Sequence, residues 1–108
     1  MEVLRIEYET GYMELIVDRF FPCPVQKMRK AAWLINQYCS DEAKAELRSV
    51  LRKKADGYAA LCKTYRQKMV ELPEGSSEYR YLKAQFNKGE ILRKRTEQNI
   101  EMITPKEK

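Results

Sequence analysis

Basic side chains supply most of the chemistry that this sequence could perform. Between Lys44 and Lys68 there are eight basic and two acidic residues, and between Arg80 and Arg95 there are six basic and one acidic. If these stretches form paired antiparallel helices, their positive potentials add and could attract a phosphate backbone or an acidic protein surface. A run of charge is also the usual composition of a solvated helix face, so all three interpretations remain open. The candidate binding strip consists of Lys44, Arg48, Arg52, Lys63, Arg66, Lys88, Arg93 and Arg95.

Tyrosines near this strip allow a second kind of contact. Tyr58, Tyr65, Tyr79 and Tyr81 carry rings that could stack on unpaired bases. Their helical spacing is, however, that of side chains packed in a core. DNA and RNA therefore enter as partners only in the alternative interpretation of the strip.

The sequence offers little for catalysis or for metal binding. It contains no histidine, which removes the commonest general base and metal ligand. The three cysteines, Cys23, Cys39 and Cys62, include no CxxC pair and are expected to be free thiols rather than zinc ligands. No phosphate-binding glycine motif is present. We predict that the protein is not an enzyme and has no catalytic residues, no cofactor and no metal; a thiol-dependent enzyme is a less favoured class.

Length and composition predict one domain. The chain has 108 residues, of which 44% are hydrophobic and 34% charged. Its apolar runs, such as residues 31–35, are too short to span a bilayer, and the first twenty residues do not resemble a signal peptide. We expect a cytoplasmic protein without a membrane partner. The net charge of +5 comes entirely from residues 40–108, because residues 1–39 balance five basic with five acidic side chains.

Residues 3–19 are predicted to form a β-hairpin, because apolar and polar residues alternate in both halves. A two-residue turn at Thr10-Gly11 places six apolar residues on one face, in the pairs Tyr8 with Met13, Ile6 with Leu15, and Leu4 with Val17. The same register sets Glu7 opposite Glu14, a like-charge pair that costs stability. A lone hairpin is barely stable in water, so its apolar face must pack against helices.

Three helices are predicted after the hairpin. The first covers residues 24–38, the second residues 41–72 behind a Ser40 cap, and the third residues 77–103. The apolar phase of the second helix passes through Gly57 without a slip, which favours one continuous helix over two shorter ones. The tail, residues 104–108, is expected to fray.

The sequence also predicts the surroundings of two single residues, Gly89 and Trp33. Counting back from the turn between the long helices places Gly89 near Ala59 and Ala60, where the helices could approach closely. Trp33 lies off the apolar line of the first helix, and we interpret it as a second packing contact rather than as a ligand-stacking group.

These patterns predict an α+β fold, an N-terminal β-hairpin followed by three helices, with the last two forming a long antiparallel helical hairpin. At 1.5 Å per residue these helices would reach about 40–48 Å, longer than the preceding elements can cover. The leading hypothesis is a non-enzymatic binding module, a small regulator, adaptor or inhibitor that engages another protein through the helical hairpin. The alternative is a nucleic-acid-binding protein that uses the basic strip. A homodimer is also compatible with the exposed helical seam or strand edge.

Overall fold

Two antiparallel strands and four helices follow one another along residues 2–103, the part of the chain that the computed structural model describes. The predicted α+β architecture is confirmed, with the strands first and a long antiparallel helix pair last. The predicted tail at residues 104–108 lies outside the described residues. The elements are β1 Val3–Tyr8, β2 Gly11–Ile16, α1 Val17–Phe20, α2 Val25–Tyr38, α3 Asp41–Val70 and α4 Ser77–Met102.

The β-hairpin forms, but the predicted register is wrong by two residues. The turn lies at Glu9-Thr10, and the pairs include Tyr8 with Gly11, Ile6 with Met13 and Leu4 with Leu15. Two physical reasons favour this register. It replaces the Glu7–Glu14 pair with Arg5 opposite Glu14, and it places Gly11 where the backbone takes φ +151°, a conformation that glycine tolerates best. The face assignment survives, because a slip of two residues returns each side chain to the same face.

The second strand is also shorter than predicted. Val17, expected opposite Leu4, instead begins α1, and its amide donates a hydrogen bond of 2.9 Å to the Glu2 carbonyl. Val17 is nevertheless buried, so its apolar side chain reaches the core from the helix. The chain then passes residues 21–24 and enters α2.

One hydrophobic core lies at the end of the molecule where the sheet, α1 and α2 meet the long helices. The hairpin contributes Leu4 and Ile6 to it, while α3 contributes only residues from its first third and α4 only residues from its last turns. Its largest apolar members are Leu4, Ile6, Val17, Phe21, Met28, Ile35, Leu47, Leu51, Ile100 and Ile103. The remaining length of the two long helices therefore extends beyond the core.

The long helices give the molecule its elongated shape. α3 has 30 residues and continues through Gly57, as predicted, and α4 has 26. The Ser40 hydroxyl accepts from the Ala43 amide and the Ser76 hydroxyl from the Tyr79 amide, so both helices begin at a serine cap. The principal extents are 59 × 23 × 22 Å. The radius of gyration is 17.2 Å, against about 13 Å for a compact domain of this length.

Two contacts fix the position of α4. A Cβ added at Gly89 would lie 2.7 Å from the Cys62 sulfur, so the predicted close approach occurs, although opposite Cys62 rather than Ala59 and Ala60. Nearer the core, the fully buried Asn99 amide accepts from the Cys23 amide at 2.7 Å and donates to the Cys23 carbonyl at 2.8 Å. The second contact ties α4 to the chain segment before α2, 76 residues away.

Candidate functional site

The first two residues of the predicted binding strip, Lys44 and Arg48, are covered wholly or partly by the rest of the protein. Lys44 is only 2% exposed, and its ammonium lies 3.3 Å from the Asp41 carboxylate. Arg48 is half-buried, and its buried Nε has no hydrogen-bond partner within residues 2–103. The Lys44 charge is thus directed into the protein, so it adds little to an outer surface that a phosphate could reach.

Two further strip residues are held in a network of carboxylates. Arg93 donates to Glu97 at 2.9 Å and to both oxygens of Glu90 at 2.9 and 3.3 Å. Arg52 of α3 lies 3.8 Å from both Asp56 and Glu97, so Glu97 joins the two helices. The hydrogen bonds from Arg93 hold the pKa of Glu90 below its usual range. Nearby carboxylates therefore compensate the charge of both arginines, and the Arg52–Glu97 contact also joins α3 to α4.

The exposed members of the strip do not share one face. Arg66 lies over the Phe86 ring, 5.2 Å from its centroid, whereas Lys88 is two residues along α4, about 200° around the helix. Arg95 lies near Cys23 at the core end, where its charge favours the thiolate of that cysteine. Lys63 is exposed on α3. The residues of the strip therefore do not form one surface. Some lie between α3 and α4, others lie on two different faces of the helix pair, and together they are spread from one end of the pair to the other.

A groove between α3 and α4 carries exposed apolar side chains that are not part of the predicted strip. One part, about 170 Å³, is lined by Tyr58, Leu61, Tyr65, Lys88 and Leu92. Spacings of three and four residues continue the same face toward the turn, where a second part of about 480 Å³ lies. We call this surface the distal groove, with lining residues Tyr58, Leu61, Tyr65, Lys68, Ser77, Glu78, Tyr81, Leu82, Gln85, Lys88, Gly89 and Leu92.

The distal groove is open because no third layer formed by residues 2–103 reaches it. Leu61 is 46% and Tyr81 64% exposed, and none of the lining residues belongs to the hydrophobic core. The sequence signal for it was present in the apolar spacing of both helices. That signal could not show which part of the apolar line α2 and the sheet would cover.

The three cysteines are covered by neighbouring residues, as packing side chains are. Cys23 and Cys62 are buried and Cys39 is half-buried, and all three are unbridged. Burial raises the pKa of each thiol, and the neighbouring Glu90 carboxylate raises that of Cys62 further. An activated cysteine nucleophile requires the opposite shift.

Thiol labelling should separate the three cysteines by accessibility. We expect Ellman's reagent to react with one thiol of the native protein, Cys39, and with all three in denaturant, because Cys23 and Cys62 are 3% exposed. Release of the coloured product measures the count, and Cys39→Ser is the control that should remove the native reaction. Fast native labelling of the Cys39→Ser variant would contradict this assignment.

Within residues 2–103, no helix is both long and apolar enough to cross a bilayer. Across the same residues, no three His, Cys, Asp or Glu side chains gather as a metal site would need. Comparison of the chain with known protein families, with curated proteins and with solved structures finds no match.

Proposed function

We propose that this protein is a non-enzymatic binding module, a regulator, adaptor or inhibitor, that engages another protein through the distal groove. The observation that carries the proposal is the exposure of Leu61 and Tyr81 in a groove that no layer of the described residues covers. Contiguous exposed apolar side chains mark interaction surfaces, and tyrosine is enriched where proteins bind one another. A cytoplasmic location fits the three free thiols.

Nucleic-acid binding along the basic strip is the alternative. It needs several unpaired cations on one continuous surface. Arg52 and Arg93 are paired with carboxylates, Lys44 is buried, and Arg66 and Lys88 lie on different faces. This distribution favours a protein partner over a phosphate backbone.

A pair of α3 variants tests the proposed groove. Leu61→Glu places a charge inside the groove, whereas Val70→Glu places the same charge at a side chain that is 80% exposed outside it. Both residues are exposed, so both variants should unfold within about 0.5 kcal/mol of the wild type. We expect proteins retained from a native lysate by the wild type and by Val70→Glu to be lost from Leu61→Glu.

Cross-linking and sedimentation complete this test. A photo-reactive residue at position 61 should cross-link the retained protein, and one at position 70 should not. Retention of the same proteins by Leu61→Glu would remove the groove as the binding surface. If the wild type sediments as a dimer that Leu61→Glu dissociates, the partner is a second copy of this chain.

A further inference from the structure

Trp33 lies on the solvent side of α2 rather than in the packing contact that its sequence position suggests. The indole is 58% exposed, and it is the sole tryptophan of the chain. The opposite side of α2 is buried through Met28, Ala31, Ala32 and Ile35. A large aromatic side chain that stays exposed after folding can still bury its apolar surface against a binding partner.

Two exposed cations lie beside this indole. Arg29 and Lys30 precede Trp33 by four and three residues, so they lie one helical turn away on either side of it. Within residues 2–103, neither side chain forms an ion pair. Their charges are therefore available to an anion near the ring.

The whole segment around α2 lacks acidic side chains. Between Arg19 and Ser40 there are four basic residues and no Asp or Glu, and all five acids of residues 1–39 precede residue 19. The neutral total of the N-terminal third thus conceals a separation of charge, since residues 1–18 hold five acids and one base, and residues 19–39 hold four bases and no acid. A polyanion approaching α2 meets no repulsion from that helix.

One aromatic ring contacts the indole at a steep angle and is not stacked parallel to it. Tyr38 lies 6.2 Å from Trp33 between ring centroids, at an interplanar angle of 80°, and Tyr38 in turn packs against Tyr8 at 5.7 Å. An edge contact of this kind restrains a ring and leaves room for a parallel partner. The bases of nucleic acids are such partners when they are unpaired.

We propose that the α2 surface, formed by Arg29, Lys30 and Trp33, binds single-stranded nucleic acid. An unpaired base stacks on Trp33, and Arg29 and Lys30 contact the phosphates on either side of it. Duplexes are disfavoured because their bases are already stacked. An anionic bilayer is disfavoured because the apolar side of α2 is already buried in the core, which leaves mainly polar residues beside Trp33. This surface is separate from the distal groove, and the proposal does not depend on the proposed function.

The sole tryptophan reports on the site directly. We expect a twelve-residue oligothymidylate to quench the intrinsic fluorescence in a saturable titration, because a stacked base lies against the indole. Two neutralised phosphates predict an affinity about sevenfold weaker at 200 mM than at 50 mM salt. Heparin, which carries charge without bases, should compete but should not quench.

Variants locate the contact independently of fluorescence. Measured by anisotropy of a labelled oligothymidylate, Trp33→Ala and the double variant Arg29→Gln/Lys30→Gln should each bind at least tenfold more weakly. The control Lys63→Gln/Lys88→Gln removes the same charge from α3 and α4 and should bind as the wild type does. Circular dichroism confirms folding, and all of these side chains are exposed.

Several results would overturn the assignment. These are the absence of quenching, equal quenching by heparin, equal affinity for the matching duplex, or loss of binding in the Lys63/Lys88 variant alone. A blue shift with anionic vesicles and no response to the oligonucleotide would assign the surface to a membrane instead. Saturable quenching that the Arg29/Lys30 variant weakens supports the proposal.

Discussion

Asn99→Ala should lower the free energy of unfolding by about 2–5 kcal/mol. The amide of Asn99 makes two hydrogen bonds with the backbone of Cys23, and both residues are buried. Alanine leaves the Cys23 N–H and carbonyl without partners in a site that water does not reach. Each unpaired buried group costs about 1–3 kcal/mol, and a small cavity adds to this. Urea unfolding followed by circular dichroism measures the change.

Two further variants make this test specific. Gln98→Ala alters the exposed neighbour on the same helix and should change stability by less than about 0.5 kcal/mol. Asn99→Asp keeps an acceptor for the Cys23 amide but sets a carboxylate against the Cys23 carbonyl. It should therefore be destabilised at neutral pH and recover part of the loss when acid protonates the carboxylate and makes it a donor. A loss below about 1 kcal/mol for Asn99→Ala would show that Cys23 finds other partners.

The same substitution at two helical glycines should have opposite effects. Gly57→Ala should stabilise the protein by about 0.5–1 kcal/mol, because a Cβ there meets no atom within 4 Å and alanine favours the helix. Gly89→Ala should destabilise it by about 1–3 kcal/mol, because its Cβ would lie 2.7 Å from the Cys62 sulfur. Urea unfolding of both variants under one set of conditions gives the comparison.

A double-mutant cycle isolates the contact between the helices. In a Cys62→Ala background the sulfur is absent, so Gly89→Ala should cost less than it does in the wild type, or should stabilise the protein. The coupling energy between the two sites should exceed about 0.5 kcal/mol. Equal effects of Gly89→Ala in both backgrounds would show that α3 and α4 do not meet at these residues. Stabilisation by alanine at both Gly57 and Gly89 would lead to the same conclusion.

The sequence predicts those parts of the fold that depend on neighbouring residues. The serine caps, the continuity of α3 through Gly57 and the face assignment of the hairpin each follow from local spacing, and the structure has them. The register of the hairpin was mispredicted because two turns fit the alternation equally well. The absence of a Glu7–Glu14 pair in the observed register and the backbone of Gly11 decide between them.

The candidate sites depend on contacts between distant elements, which one sequence does not reveal. Asp56 stands four residues from Arg52, and Glu90 and Glu97 stand three and four residues from Arg93, so local spacing indicates those pairs. The contact of Glu97 with Arg52 across the helix pair does not follow from that spacing. Trp33 was expected to be a second packing contact, but among the described residues no element covers the indole, which is 58% exposed. Asn99 left only a faint signal, its spacing of four residues from Ile103 on the apolar side of α4, and its partner is 76 residues away.

Because α3 is one uninterrupted helix, a small change in its direction at the core moves its far end by a large distance. Its 30 residues span about 45 Å from the core to the distal end. A change of about 10° in the direction of α3 at its base would therefore displace that end by about 8 Å. The direction is set where the long helices meet the core, and the Asn99–Cys23 contact is one of the restraints there. A partner at the proposed distal groove would thus have its position influenced by buried contacts that it does not touch.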